Sequence, residues 1–362
     1  MLCNKIVIIG AGLMGSSLYE AIKQHSVAKQ VILLTKDKSQ LKTLAQLGIA
    51  NTTVNYQETK DAAIVVIATP LFTYETIFKN LIAGGITNHT IITDIGSVKE
   101  PVEELVKKHF RHLTFVPSHP IAGSHKSGVG AIVNDLYEYK KVIITGNKDS
   151  KETGHIASFW QKIGMKIQYM DSKTHDNIYA NISHLVQKIA FNTKSTLEDM
   201  DLDILSLAKT INNKEFNQFV RLTFSNPKIW DDIFSANSKY LSSASNSFVS
   251  EIHAATAFVQ NNQFIKLYER IQTSKIHMGE SISFNSDFEI EEKDFLYFMF
   301  GAIVASSLIH TIRDQSFFNY IGSGFKDLVA IKNTIKQQDI LKFTRIKYDL
   351  TIMLREFSSN FK

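Results

Sequence analysis

Ile6-Val7-Ile8-Ile9-Gly10-Ala11-Gly12-Leu13-Met14-Gly15 decides the fold of this chain. It reads as a short buried strand, a glycine turn and the first turn of a helix. Leu18 and Ile22 extend the apolar face that Leu13 begins, at helical spacing. Gly10, Gly12 and Gly15 stand at G-x-G-x-x-G spacing. The first permits the tight turn, the second leaves room for a pyrophosphate, and the third lets helix and strand pack closely. The helix N-terminus then offers unpaired N–H groups to phosphate. Spacing alone is weak; a strand before it and a helix after it make a dinucleotide site the reading. Gly10, Gly12, Leu13, Met14 and Gly15 are its expected contacts.

Further strands follow in order. Gln30–Leu34 is the second, and its end should meet the adenosine ribose. Thr35 and Lys36 stand there, with Asp37 two places late. A missing carboxylate and a nearby lysine lean toward NADP; Asp37 reaching the ribose would favour NAD. Ala62–Ala68 is a strand ending in Thr69-Pro70, and Thr90–Thr93 leads into Asp94-Ile95-Gly96-Ser97-Val98-Lys99. Thr69, Pro70 and Asp94 are expected on the cofactor crevice, because ligands sit at the carboxyl edge of such sheets. Leu113–Val116, Lys141–Thr145 and Lys166–Tyr169 complete an α/β Rossmann-type doubly wound sheet.

Beyond Asp171-Ser172, a helix cap, the chain turns all-α. Helices are expected over Thr174–Leu197, Lys214–Leu222, Pro227–Ser243 and Ser245–Ser274, with entry at Asn226-Pro227. Gly279–Lys293 reads as a linker before a last helical segment, Asp294–Phe357. The expected division is 1–170 for the dinucleotide, 171–280 for substrate and dimerisation, and 281–362 as an additional helical segment. A faint repeat aligns Glu215–Arg221 with Gly324–Ala330, and Ile182–Leu185 with Ala305–Leu308.

Bulk properties narrow the class. With 362 residues, 44% of them hydrophobic, the chain can build two or three cores. A formal charge of +5 without a long Lys/Arg block gives no nucleic-acid surface. Cys3 is the only cysteine, which excludes intrachain disulfides and suits a reducing cytoplasm. The chain enters its nucleotide strand at once, so no signal peptide is expected. Phe295–Ile309 is apolar but short for a membrane span. The helical half is rich in Phe and Ile, and a homodimer built on it is expected.

His119 is the main candidate for chemistry. It lies just past a strand end, between Pro117 and Pro120, where an imidazole can take a proton from a hydroxyl whose carbon loses hydride. Ser97 follows another strand end; it could bond substrate, histidine or nicotinamide amide, or cap a helix over Val98–His109. Ser124, in the loop after His119, could bond substrate. His175 and His184 are nine residues apart, on opposite faces of a straight helix, and so are poor joint metal ligands. No metal site is expected. Arg221 sits among Phe216, Phe219, Val220 and Leu222 and calls for an anion, either a substrate carboxylate or a structural Asp or Glu. Trp230 could floor the pocket or simply pack in the core.

Taken together, these pieces resemble prephenate dehydrogenase: the glycine turn, Asp94–Lys99, Ser118–Gly128, His175-Asp176, Ser183-His184-Leu185, and Arg221 with Asn226–Phe234. The resemblance spans about residues 1–280. It implies a Rossmann domain, a helical dimerisation domain, an active site between them and a place in tyrosine biosynthesis. It makes His119 the base on the ring hydroxyl, Ser97 its orienting partner, and Arg221 the carboxylate clamp. Ser124 and His184 become supporting pocket residues, and prephenate or arogenate the substrate; His175 and Trp230 are also expected at the substrate. The chain departs from the pattern at His125, where the family usually has an acid. It departs again at Gln187, often a second histidine, at Asn213–Phe216, and at Thr35. Other two-domain hydroxyacid or imine reductases share the glycine turn, and a non-catalytic nucleotide-binding regulator is the remaining alternative.

Overall fold

The structure is a computed structural model that describes residues 1–123, 128–129, 131–206, 214–273, 295–312, 314–320, 325–326 and 342–361. The chain divides into two compact units, Met1–Asp176 with Asp231–Ala236, and Asn177–Trp230 with Asn237–Lys362.

The first unit is built on a six-stranded parallel sheet. Its strands are β1 (Cys3–Ile9), β2 (Ala28–Leu34), β3 (Thr52–Thr53), β4 (Ile64–Ile67), β5 (Ile91–Asp94) and β6 (Thr114–Val116). Their order is β3-β2-β1-β4-β5-β6. The order reverses between β1 and β4, and the crevice at that reversal is where open α/β sheets bind ligands. The apolar runs are explained by burial on both faces. Ile6, Ile8, Leu33 and Val66 pack beneath α1 (Leu13–Gln24) and α5 (Lys151–Lys162). Val7, Ile9, Leu34 and Val65 pack beneath α3 (Tyr74–Ala83) and α4 (Glu100–His109). The short α2 (Lys38–Gln46) starts at Asp37, whose carboxylate accepts from Ser39 N at 2.8 Å.

The expectation of one continuous sheet needs correction. The chain leaves the parallel sheet at Pro117, which has no N–H to continue the ladder. β7 (Ser118–Pro120) then pairs antiparallel with β8 (Lys141–Ile144), which pairs parallel with β9 (Lys166–Tyr169). His119 thus lies on an edge strand of a second, three-stranded sheet.

From Ser172 the described chain is helical; Ser172–Asp176 and Asp231–Ala236 lie in the first unit and the rest in the second. After α6 (Ser172–Tyr179), capped by Asp171 through Thr174 N at 2.9 Å, one π-helical turn (Ala180–His184) leads into α7 (Leu185–Asp199). Next come α8 (Lys214–Leu222) and α9 (Pro227–Ala236), then α10 (Ser238–Gln260) and α11 (Phe264–Thr273). Two expected helices are therefore divided differently. The breaks fall at Asn237, which is buried, and at Asn261-Asn262, where Asn262 takes φ +56°. Neither break carries a Gly or Pro. The last described helices are α12 (Phe295–Thr311) and α13 (Phe343–Ser359). Both belong to the second unit, and Phe248 of α10 meets Phe357 edge-on at 6.0 Å. Among the described residues no helix is long and apolar enough to cross a membrane. The expected linker and most of one arm of the expected repeat, Gly324–Ala330, lie outside the described residues, as do Ser124 and His125.

Candidate active site

The cofactor side follows from the glycine turn. Gly10 adopts φ +118°, and a Cβ there would lie 2.4 Å from the Ala68 carbonyl oxygen. A Cβ on Gly15 would lie 2.0 Å from the Gly10 oxygen. These two glycines are required by the protein itself. Gly12 differs: a Cβ would meet no atom within 4 Å, and no side chain caps the helix that starts after it. Its surroundings and the uncapped amides of Leu13, Met14 and Gly15 fit a pyrophosphate.

Around this turn two expected contacts are corrected. Thr35 is buried, and its hydroxyl donates to Gln40 Oε1 at 2.7 Å while accepting from Asp37 N at 3.3 Å. It shapes the turn into α2 rather than facing a ribose; Lys36 beside it is exposed. Asp94 is fully buried and held entirely by protein groups. Its Oδ2 accepts from Lys99 Nζ, from Tyr74 OH at 3.0 Å and from Gly96 N at 3.0 Å. Its Oδ1 accepts from Ser118 N at 3.0 Å. Asp94 is thus a positioning residue, not a cofactor contact. Burial, reinforced by the Asp94 carboxylate, pushes the Tyr74 hydroxyl well above its ordinary range.

Lys99 completes this cluster. It too is fully buried, and its Nζ also donates to the Ser118 carbonyl at 2.8 Å. The Ser118 hydroxyl donates to the Asp94 carbonyl at 2.6 Å and accepts from Trp160 Nε1 at 3.1 Å. The residue before His119 is therefore clamped by its N–H, carbonyl and hydroxyl.

His119 itself is 9% exposed, and its Nδ1 lies 2.9 Å from His175 Nε2. His175 Nδ1 lies 2.7 Å from Asp176 Oδ1. The Asp176 carboxylate also accepts from Lys99 N at 2.8 Å and Glu100 N at 2.7 Å. Asp176, not Ser97, therefore caps α4. Burial, reinforced by the Lys99 ammonium, holds His175 well below the ordinary histidine range, so its imidazole is neutral. The carboxylate can only accept, which places the His175 proton on Nδ1 and leaves Nε2 as an acceptor. His119 must then donate through Nδ1 and carry its lone pair on Nε2, the tautomer of a base. His175, expected to touch substrate, is instead fully buried and positions His119.

This geometry sets a pH dependence. Between the ordinary histidine value of about 6.5 and the lower folded one, the unfolded chain binds a proton at 175 that the folded chain does not. The contribution of His175 to stability is thus complete above about pH 6.5 and shrinks as pH falls below it. Urea midpoints at several pH values should show this fall, and His175→Gln should flatten it. An unchanged slope in the variant would contradict a neutral His175.

Ser97 is half-buried, and its hydroxyl bonds no protein group among the described residues. Thr69 is half-buried, with its hydroxyl 2.8 Å from that of Thr73, and Pro70 is exposed. The next two amides, Leu71 N and Phe72 N, donate to the Asp232 carboxylate at 2.7 and 3.2 Å. Burial pushes Asp232 above the ordinary carboxylate range.

The remaining expected residues belong to the second unit. His184 is buried, with Nδ1 at 3.0 Å from Asn237 Nδ2 and its ring 6.2 Å from that of Trp230. Trp230 is half-buried. Arg221 was expected to meet an anion, either a substrate carboxylate or a structural Asp or Glu. It is exposed near the end of α8, with Phe219 and Val220 taking the buried positions, and makes no ion pair among the described residues.

Two family models match this chain. The nucleotide-binding domain of prephenate dehydrogenase covers residues 18–169, and its dimerization domain covers 171–273. The chain belongs to the prephenate dehydrogenase family. Prephenate dehydrogenase of Bacillus subtilis is 27% identical over 277 residues, covering 75% of this chain and 74% of that protein. Cyclohexadienyl dehydrogenase of Zymomonas mobilis is 26% identical over 274 residues, covering 75% and 93%. The structure is similar to that of Aquifex aeolicus prephenate dehydrogenase in complex with hydroxyphenyl propionate and NAD+ (TM-score 0.66, 27% identity, 74% and 95% covered).

Within that family frame, four residues given no role in the sequence reading carry much of the site. Lys99 stands five places after Asp94, and Asp176 beside His175; both lay inside quoted motifs. Asp232 lay inside the quoted Asn226–Phe234 and Gln187 was noted as a departure, but the contacts of both could not be read, because their partners are backbone groups far along the chain.

Proposed function

We propose that the chain converts prephenate to 4-hydroxyphenylpyruvate and carbon dioxide as a step of tyrosine biosynthesis, with NAD+ as oxidant. The observation that carries this is the Asp176–His175–His119 chain, which presents a proton-accepting imidazole in the unit that holds the glycine turn. Bound NAD+ would supply the acceptor for the hydride that leaves ring C4. His119 Nε2 takes the C4 hydroxyl proton as the carbonyl forms. The bond from C1 to its carboxylate then breaks, and its electron pair closes the aromatic ring. The proton returns to the phenol oxygen. Aromatisation makes the step downhill, so position and a base suffice.

Ser97 orients the C4 hydroxyl. Arg221 meets a carboxylate, its guanidinium suited to bidentate recognition; His184 and Trp230 are assigned to the substrate, as is Ser124 by the family resemblance alone. NAD+ is favoured over NADP+ by two observations: the similar Aquifex protein holds NAD+, and Thr35 is turned into the protein. The exposed Asp37, whose carboxyl Ser39 holds below its ordinary range, adds negative charge two residues beyond Thr35. The helical unit, which matches a dimerization domain, is the proposed seat of a homodimer.

Reduced-nicotinamide absorbance with prephenate or arogenate, and NAD+ or NADP+, tests all of this. The expected result is turnover with prephenate and NAD+. Arogenate turnover at a higher rate would reassign the substrate, and no reduction in any combination would remove the proposed activity.

A further inference from the structure

The contacts of Gln187 give it a task. It lies on α7, is 2% exposed, and donates through Nε2 to the Leu222 carbonyl at 2.7 Å. Its Oε1 accepts from the Ser225 hydroxyl at 3.4 Å. The carbonyl accepts only, which settles which end of the amide faces it. Leu222 ends α8 and follows Arg221 directly.

Carbonyls in a last helical turn lack partners within their helix. Here the Leu222 carbonyl takes Ser225 N at 3.1 Å as well as Gln187, and the Arg221 carbonyl takes Phe224 N at 3.3 Å. A buried side chain from another helix therefore grips the turn within one residue of the arginine. Arginine has a long rotatable stem, so the direction of its reach depends on where its own backbone is held.

We propose that Gln187 is a positioning residue that sets the reach of Arg221 toward the substrate carboxylate. This rests on the role given to Arg221 above. Its amide supplies donor and acceptor together, so one side chain fixes both the carbonyl and the hydroxyl of the turn. Methionine fills nearly the same volume and offers neither.

The test is a double-mutant cycle on the full-length enzyme with prephenate and NAD+. Arg221→Met should lower kcat/KM for prephenate about 10- to 100-fold, the range for a hydrogen bond to a charged group. Gln187→Met should lower it about tenfold, since a misplacement of about 1 Å can cost up to a hundredfold. In the Arg221→Met background, Gln187→Met should change it less than about twofold, because coupled residues are not additive. KM for NAD+ should hold in every variant. Gln187→Leu serves if the Met variant does not fold.

Additive effects would overturn the proposal while leaving Arg221 its role. A loss confined to KM for NAD+ would overturn it equally. No effect of Arg221→Met would remove both.

Discussion

Replacing His119 by Asn is expected to lower kcat on prephenate by about 10²- to 10⁴-fold, the usual contribution of a positioned acid–base group. Asparagine keeps a polar side chain beside His175 but cannot take up a proton. The glycine turn is untouched, so NAD+ affinity should stay within about twofold of the parent. Steady-state kinetics and a dinucleotide titration give the two numbers. Near-normal turnover in this variant would take the proton from some other group and leave the Asp176–His175–His119 chain without a task.

The second large effect concerns the clamp beneath that histidine. Lys99→Met should destabilise the first unit by about 3–5 kcal/mol, because it leaves the Asp94 carboxylate buried without its cation. Tyr74 OH, Gly96 N and Ser118 N would remain as its partners, and none of them carries charge. Pairing the change with Asp94→Asn should recover much of the loss, since a buried pair removed together costs far less than half a pair. Urea unfolding followed by Trp160 fluorescence in a Trp230→Phe background isolates the first unit. A loss under about 1 kcal/mol for Lys99→Met would show that water or relaxation reaches the site.

How far the sequence was readable depended on the kind of signal. Strands buried on both faces write themselves as apolar runs, so Ile6–Ile9 and Ala62–Ala68 were placed to within a few residues. The three residues of β7 have no pattern to read, and the split into two sheets was invisible. In the helical half, apolar periodicity continues across Asn237 and Asn261-Asn262, where tertiary hydrogen bonds and a left-handed turn end the helices.

The site shows the same division. His119 stood out in the sequence because it follows a strand end between two prolines. Its partner His175 lies 56 residues away, and only folding brings them to 2.9 Å. Thr35 was misread because its local bond to Gln40 competes with the outward direction expected of a strand-end residue. Of the two anions weighed for Arg221, a structural Asp or Glu is absent among the described residues, because the helix turns Phe219 and Val220 inward and leaves the arginine exposed.

The most direct measurement is of the imidazole tautomers by ¹⁵N NMR in protein labelled at histidine. A neutral His175 protonated on Nδ1 and a His119 that carries its proton on Nδ1 and its lone pair on Nε2 are the predicted pair. In Asp176→Asn that fixed assignment at His119 should break down into a mixture. A His119 protonated on Nε2 in the parent, or an unchanged spectrum in the variant, would contradict a base prepared by Asp176 through His175.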